Sequence, residues 1–145
     1  PQSLPTRDAT MLCALTAPGL VQLSLDGKQL TNSGYISNPA GFTMHSAIRE
    51  AREDAACVLH LHNPDGTAVA SCLDGLLPLN QTAQLVNYDL AYHDYEGIAL
   101  NEAEKPRLVA DLGAKNLMIL RNHGLLTCGR SAAEAFLFMY LLDSA

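Results

Sequence analysis

The stretch Cys57-Val58-Leu59-His60-Leu61-His62, running straight into Asn63-Pro64-Asp65-Gly66, constrains this chain more than any other. It is short and apolar, and it closes on two histidines in His-x-His spacing. A strand turns successive side chains to opposite faces, so His60 and His62 point the same way with Val58 in line behind them. Two imidazoles placed like that can bind a single divalent metal, whereas a helix would place them poorly. The Asn-Pro-Asp-Gly segment stops the strand, which sets the pair at its carboxyl end. In α/β sheets that is where ligands bind.

The flanking sequence alternates between helical and extended periods. Val21 to Leu25 alternates strictly and Asp26-Gly27 is a hairpin signal, so residues 10–27 read as β structure and turns. Asn32-Ser33-Gly34 and Asn38-Pro39-Ala40-Gly41 read as loops. Met44, Ala47, Ile48, Ala51 and Ala55 then recur at helical spacing, with Arg49, Glu50, Arg52, Glu53 and Asp54 as a solvated face. Beyond the His60/His62 strand, the small residues Gly66 to Leu73 suit a short helix and Gln81 to Leu85 one more helical turn. Leu90 to His93 reads as a strand with Asp94-Tyr95-Glu96-Gly97 as its exit loop. Asn101 and Glu104 form a capping box for a helix ending at Gly113, whose regular part begins near Pro106. Leu117 to Leu120 and Gly124 to Cys128 are strands of a hairpin turned at Arg121-Asn122-His123. Ser131 and Glu134 form a second capping box, opening a helix through Phe136, Met139, Tyr140 and Leu142. Helices interleaved with strands imply an α/β layered domain, and the hairpins argue against a purely parallel sheet.

One domain, residues 1–145, is expected: a chain of 145 residues buries roughly 70% of its unfolded surface. The net charge of -6 argues against nucleic acid as a partner. No apolar run reaches the length of a membrane span, so a soluble protein with a cytoplasmic location is expected. Pro1 to Asp8 contain neither a starting Met nor a signal-peptide core, and the last helix is cut at Ser144-Ala145. Both ends read as truncated. The four cysteines, Cys13, Cys57, Cys72 and Cys128, form no Cys-x-x-Cys pair and read as buried, reduced thiols.

Five histidines are available: His45, His60, His62, His93 and His123. A catalytic zinc site takes three protein ligands and keeps one position open. His123 is the best third ligand, because it also follows an apolar strand and Gly124 lets the backbone come close. His45 reads as a satisfied, partly buried histidine. His93 reads as a structural residue, a support for the site or a proton carrier. Tyr95 reads as a packing residue or a second proton carrier. An all-histidine site leaves zinc dipositive, suited to polarising a carbonyl or stabilising an enediolate.

Three segments carry a family resemblance: Asn38 to Ile48, Val58 to His62, and Leu120-Arg121-Asn122-His123-Gly124-Leu125. They resemble the class II aldolase/adducin family. Tyr92-His93-Asp94-Tyr95-Glu96-Gly97 and Ala132 to Phe136 resemble its adducin-like branch. The resemblance implies a three-layer α/β/α sandwich around a mostly antiparallel sheet, assembled as a homotetramer with sites at subunit interfaces. It implies zinc, or manganese, cobalt or iron in its place, held by His60, His62 and His123. The reaction it implies is that of a lyase or epimerase on a small hydroxy-ketone or sugar phosphate, through a metal-stabilised enediolate. A family tyrosine acid aligns loosely with Tyr95.

The departures point elsewhere. Family aldolases carry a catalytic Glu and phosphate-binding serines upstream of the His-x-His pair, where this chain has Asn38-Pro39-Ala40-Gly41. Glu50 and Glu53 lie too far along the helix to replace that Glu. The family's Gly-Asn phosphate loop normally precedes the position of Pro1. The adducin-like branch also lacks the Glu, and in animal adducins this domain is the oligomerising head of a membrane-skeleton protein. An actin- or spectrin-associated scaffold is therefore the alternative.

Overall fold

The computed structural model describes residues 2–3, 20–24, 26–31, 39–98 and 102–145. At the amino-terminal end, β1 (Gln2–Ser3) and β2 (Leu23–Ser24) make a two-stranded antiparallel ribbon. The turn expected at Asp26-Gly27 is there, with Gly27 at φ 81 and a bridge from Leu23 to Gln29. The rest of the β structure expected at 10–27 lies largely outside the described residues, as does the loop at Asn32-Ser33-Gly34.

The body of the domain is a four-stranded sheet in the order β3-β6-β5-β4, from β3 (Cys57–Leu61), β4 (Leu90–His93), β5 (Leu117–Leu120) and β6 (Gly124–Gly129). β3 pairs antiparallel with β6 and β6 antiparallel with β5, while β4 pairs parallel with β5. The sheet is thus mixed and mostly antiparallel, as expected. In consequence β3, β4 and β5 all finish at one end of the sheet, where β6 begins.

Period-two alternation sorts the sheet into two faces. Val58, Ala91, Met118, Leu120, Leu126 and Cys128 pack on one face against Met44, Ala47 and Ile48 of α1 (Pro39–Ala51) and Leu108 and Leu112 of α4 (Lys105–Leu112). Leu90, Leu117, Ile119 and Leu125 pack on the other against α2 (Pro64–Ala70), α3 (Gln81–Asn87) and α5 (Ala132–Asp143), through Ala70, Val86, Met139 and Leu142. Helices on both faces make three layers. The two clusters fill the spaces between them, and each buried Leu contributes about 2 kcal/mol of hydrophobic stabilisation.

Several boundaries differ from the sequence reading. Pro39, Ala40 and Gly41 belong to the first turn of α1, not to a loop; Pro suits that turn because its missing N–H would go unpaired there anyway. α1 stops at Ala51, short of Ala55, where the Arg52 guanidinium instead bonds Asp54 and the Lys115 carbonyl. α2 begins at Pro64 and ends at Ala70, and α3 is a full seven-residue helix. Asn101 lies outside the described residues. Glu104 makes no side-chain cap; a 3-10 turn, Glu102–Glu104, leads into α4 at Lys105, next to Pro106. The last helix is capped as expected by Ser131 Oγ, which accepts the Glu134 N–H at 3.1 Å. The reciprocal half is shifted by one residue: Glu134 accepts from the Arg130 N–H at 2.6 Å.

Among the described cysteines, Cys57, Cys72 and Cys128 carry free thiols. Cys128 is buried as expected, but Cys57 is only part-buried and Cys72 is exposed, because α2 ends before reaching it; Cys13 lies outside the described residues. Among the described residues no helix is long and apolar enough to cross a membrane.

Candidate metal centre

Three strand ends deliver the site. His60 is the fourth residue of β3 and His62 follows its last, so the pleat carries both imidazoles to the same side as Val58. His123 stands in the three-residue turn between β5 and β6, where Asn122 takes the left-handed conformation at φ 56 that Asn tolerates better than most residues. Gly124 opens β6 at the point of closest approach. A Cβ there would overlap the Leu61 carbonyl oxygen and lie 3.1 Å from the His62 ring. The missing side chain is what lets His123 and His62 come together.

The three rings form a nearly regular triangle. Centroids are 4.5 Å apart for His60–His62, 4.7 Å for His60–His123 and 4.6 Å for His62–His123. One nitrogen from each ring falls in a group whose members all lie within 4.8 Å of one another. His60 Nδ1–H donates to the Leu125 carbonyl at 2.8 Å, which fixes the tautomer by geometry and turns the Nε2 lone pair toward the other rings. His60 Nε2 then sits 2.6 Å from His62 Nε2. Burial drives the His60 pKa down to about 4, against the opposing Leu125 bond and helped by the neighbouring His123, His62 and His45. Burial also lowers the pKa of His123, with His62 adding to it. Neutral imidazoles at ordinary pH are what a divalent metal needs.

The donor set fits such an ion. Nitrogens of a tetrahedral zinc stand roughly 3.4 Å apart at Zn–N distances near 2.0–2.1 Å, and the separations here, from 2.6 Å to under 4.8 Å, bracket that value. Three nitrogen ligands leave a fourth position for a water or substrate.

The other expected residues are placed differently. Tyr95, half-exposed, lies 6.5 Å from His123 between ring centroids and nearly perpendicular to it. His93 joins the site only through the wall of a small cleft, which it lines with Tyr95, Glu104, Arg121 and His123. Its ring nitrogens are engaged elsewhere: Nδ1 with Asp111 Oδ2 at 2.7 Å and Nε2 with Glu104 Oε1 at 3.4 Å. His45 is partly buried, as expected, and burial lowers its pKa, with Arg49 contributing.

The sequence reading gives Glu104 only a capping role, Arg121 only a place in the turn, and Asp111 no role. Glu104, closing the 3-10 turn, and Asp111 of α4 have Leu108 at helical spacing between them, and acidic residues in register with core leucines are the available signal. Arg121 ties the turn down. Its N–H donates to the His93 carbonyl at 2.8 Å, and its guanidinium lies 4.7 Å over the Tyr92 ring and donates to the Leu73 carbonyl at 3.2 Å.

An α/β/α sandwich with three histidines gathered at its strand ends defines the class of α/β protein, and sequence and structural comparison specify the family. Residues 4–145 match the family described as "Class II Aldolase and Adducin N-terminal domain". The chain is 53% identical over 135 residues to the Pseudomonas aeruginosa protein named "Putative aldolase class 2 protein PA3430", covering 93% of this chain and 52% of that one. It is 45% identical over 133 residues to alpha-adducin of Mus musculus, covering 88% of this chain but 18% of that protein. Among solved structures, an aldolase II superfamily protein from Pseudomonas syringae superposes with a TM-score of 0.95 at 44% identity, over 99% of this chain and 58% of that one. The chain belongs to the class II aldolase/adducin family. It spans about half the length of the Pseudomonas aeruginosa relative.

Proposed function

We propose that this domain binds one divalent metal through His60, His62 and His123 and serves as a lyase or epimerase toward a small hydroxy-ketone or sugar phosphate. The observation that carries the reading is the triangle of rings with centroids 4.5–4.7 Å apart, its nitrogens converging on one point. Zinc is the first choice of ion, with manganese, cobalt or iron as substitutes. Bound there, it would act as a Lewis acid toward the carbonyl and offset the negative charge of an enediolate. The chain's own residues supply the rest. His60 is oriented by the Leu125 carbonyl, Tyr95 offers a hydroxyl at the mouth of the cleft, and His93 lies behind it as a proton carrier. A solved L-fuculose 1-phosphate aldolase from Glaciozyma antarctica, 28% identical with a TM-score of 0.73 over 86% of this chain and 48% of that one, supports the substrate class. Exposed Phe136, Leu137 and Tyr140 on α5, and Leu85 on α3 with Tyr88 just after it, support assembly of several copies, for which a homotetramer in the cytoplasm is our reading.

The 45% identity to alpha-adducin favours a second reading, a non-catalytic assembly module of a cytoskeletal scaffold. Metal content by plasma mass spectrometry separates the two. About one zinc per chain, lost in His62→Ala, is the expected result and would justify assaying hydroxy-ketone phosphates for retro-aldol cleavage. No metal after incubation with zinc would overturn the metalloprotein reading in favour of the scaffold.

A further inference from the structure

His93 is 4% exposed and Glu104 6%, yet the two are joined to each other and to a third titratable side chain. Burying ionisable groups costs several kcal/mol each unless they are fully paired, and an apolar residue on β4 would pack against α4 without that cost, as Ala91 does two residues earlier. The pairing here is also incomplete. Glu104 Oε1 meets His93 Nε2, but Glu104 Oε2 is buried with no hydrogen-bond partner among the described residues. Glu104 lines the cleft that His93 shares with Tyr95 and His123. That cleft has a volume of about 10 Å3, room for a single water. At the far side His93 Nδ1 contacts Asp111, whose side chain is 45% exposed to solvent. Charged neighbours of this row are Arg107 on α4, which feels Glu104 and Asp111, and Glu96, which pairs with Arg107. Arg121 and His123 stand on the cleft side.

We propose, on the catalytic reading of the metal centre, that Glu104, His93 and Asp111 form a proton relay joining the cleft beside His123 and Tyr95 to bulk water. In the outward direction Glu104 takes a proton from a water or hydroxyl in the cleft and passes it to His93 Nε2. As that N–H bond forms, the Nδ1–H bond breaks, and its proton leaves through the Asp111 carboxylate to solvent. No charge accumulates in the core. Carbon–carbon cleavage or epimerisation removes one proton and later returns one, so the inward transfer restores the original tautomer of the ring.

The relay can be tested without a substrate. In metal-free protein labelled with 15N-histidine, NMR should show the His93 Nδ1 proton exchanging with water despite its burial. Asp111→Asn, which still accepts the hydrogen bond but cannot take the proton, should slow that exchange about tenfold or more. An unchanged rate would overturn the relay. A second arm uses the zinc-loaded chain with dihydroxyacetone phosphate in D2O. Glu104→Gln should lower deuterium incorporation at carbon about tenfold or more and shift its pH profile, with zinc content and Tm unchanged. A fall in Tm with an unchanged pH profile would reduce the trio to a structural clamp and overturn the proposal. If wild-type protein incorporates no deuterium, the catalytic reading fails by itself, and the NMR arm still decides whether the trio conducts protons. Asp111→Asn, at a half-exposed position, keeps the test open should Glu104→Gln fail to fold.

Discussion

His60 should make the metal-free domain acid-labile by a calculable amount. Its pKa falls from 6.5 to about 4 on folding, mainly through burial. A histidine with a depressed folded pKa contributes stability above its unfolded value and loses it as pH falls toward the folded one. The window here is therefore pH 6.5 down to 4. At 1.36 kcal/mol per unit the full loss is about 3 kcal/mol. At pH 5 the unfolded ring is almost wholly charged and the folded ring almost wholly neutral, so about 2 kcal/mol is already gone. The perturbation to use is His60→Asn, whose amide can still donate to the Leu125 carbonyl but does not titrate. Urea unfolding in EDTA at pH 7 and pH 5 should show wild type losing about 2 kcal/mol more than the variant between the two. The acid sensitivity from His123 and His45, also depressed by burial, remains in both and cancels in the comparison. Parallel losses would refute the argument that burial holds His60 neutral, and with it the claim that the site is ready for metal without first shedding a proton from that ring.

Two further outcomes follow from the geometry. Gly124→Ala should destabilise the domain by about 2–4 kcal/mol in urea and abolish zinc uptake, since its Cβ would overlap the Leu61 carbonyl between two ligands; retention of both properties would show that the strand ends can part without harm. A maleimide at neutral pH should label Cys72 in the folded chain and spare Cys128, which is fully buried with its thiol pushed up to about 11; mass spectrometry of the adducts decides this, and equal labelling would contradict the packing of β6.

The parts of the site that the sequence disclosed are those fixed by local rules. His60 and His62 share a side because a strand has period two, and the turn after β5 was marked by an apolar run ending at Arg121-Asn122-His123-Gly124. The parts it hid depend on partners far away along the chain. Pro39 to Gly41 have loop composition, yet packing of Met44, Ala47 and Ile48 against the sheet extends the helix back through them. Glu104 has the spacing of a capping residue, but its carboxylate turns to His93, 11 residues earlier, and Asp111 reaches the same ring from the next turns of α4. The cap was a fair local reading; a buried imidazole competes for that carboxylate only after α4 has docked on β4.

By itself the sequence determined the alternation of helices and strands, a mixed sheet, and the candidacy of three histidines for one ion, because hydrophobic period and turn chemistry act over a few residues. Only the tertiary structure decided that β3, β4 and β5 finish at one end of the sheet, through the pairing of β3 antiparallel to β6, β6 antiparallel to β5 and β4 parallel to β5. That pairing brings His123 to within ring contact of His60 and His62, and sets His93 behind a cleft instead of among the ligands. Strand order and helix docking are set by contacts between distant segments, which no local pattern encodes.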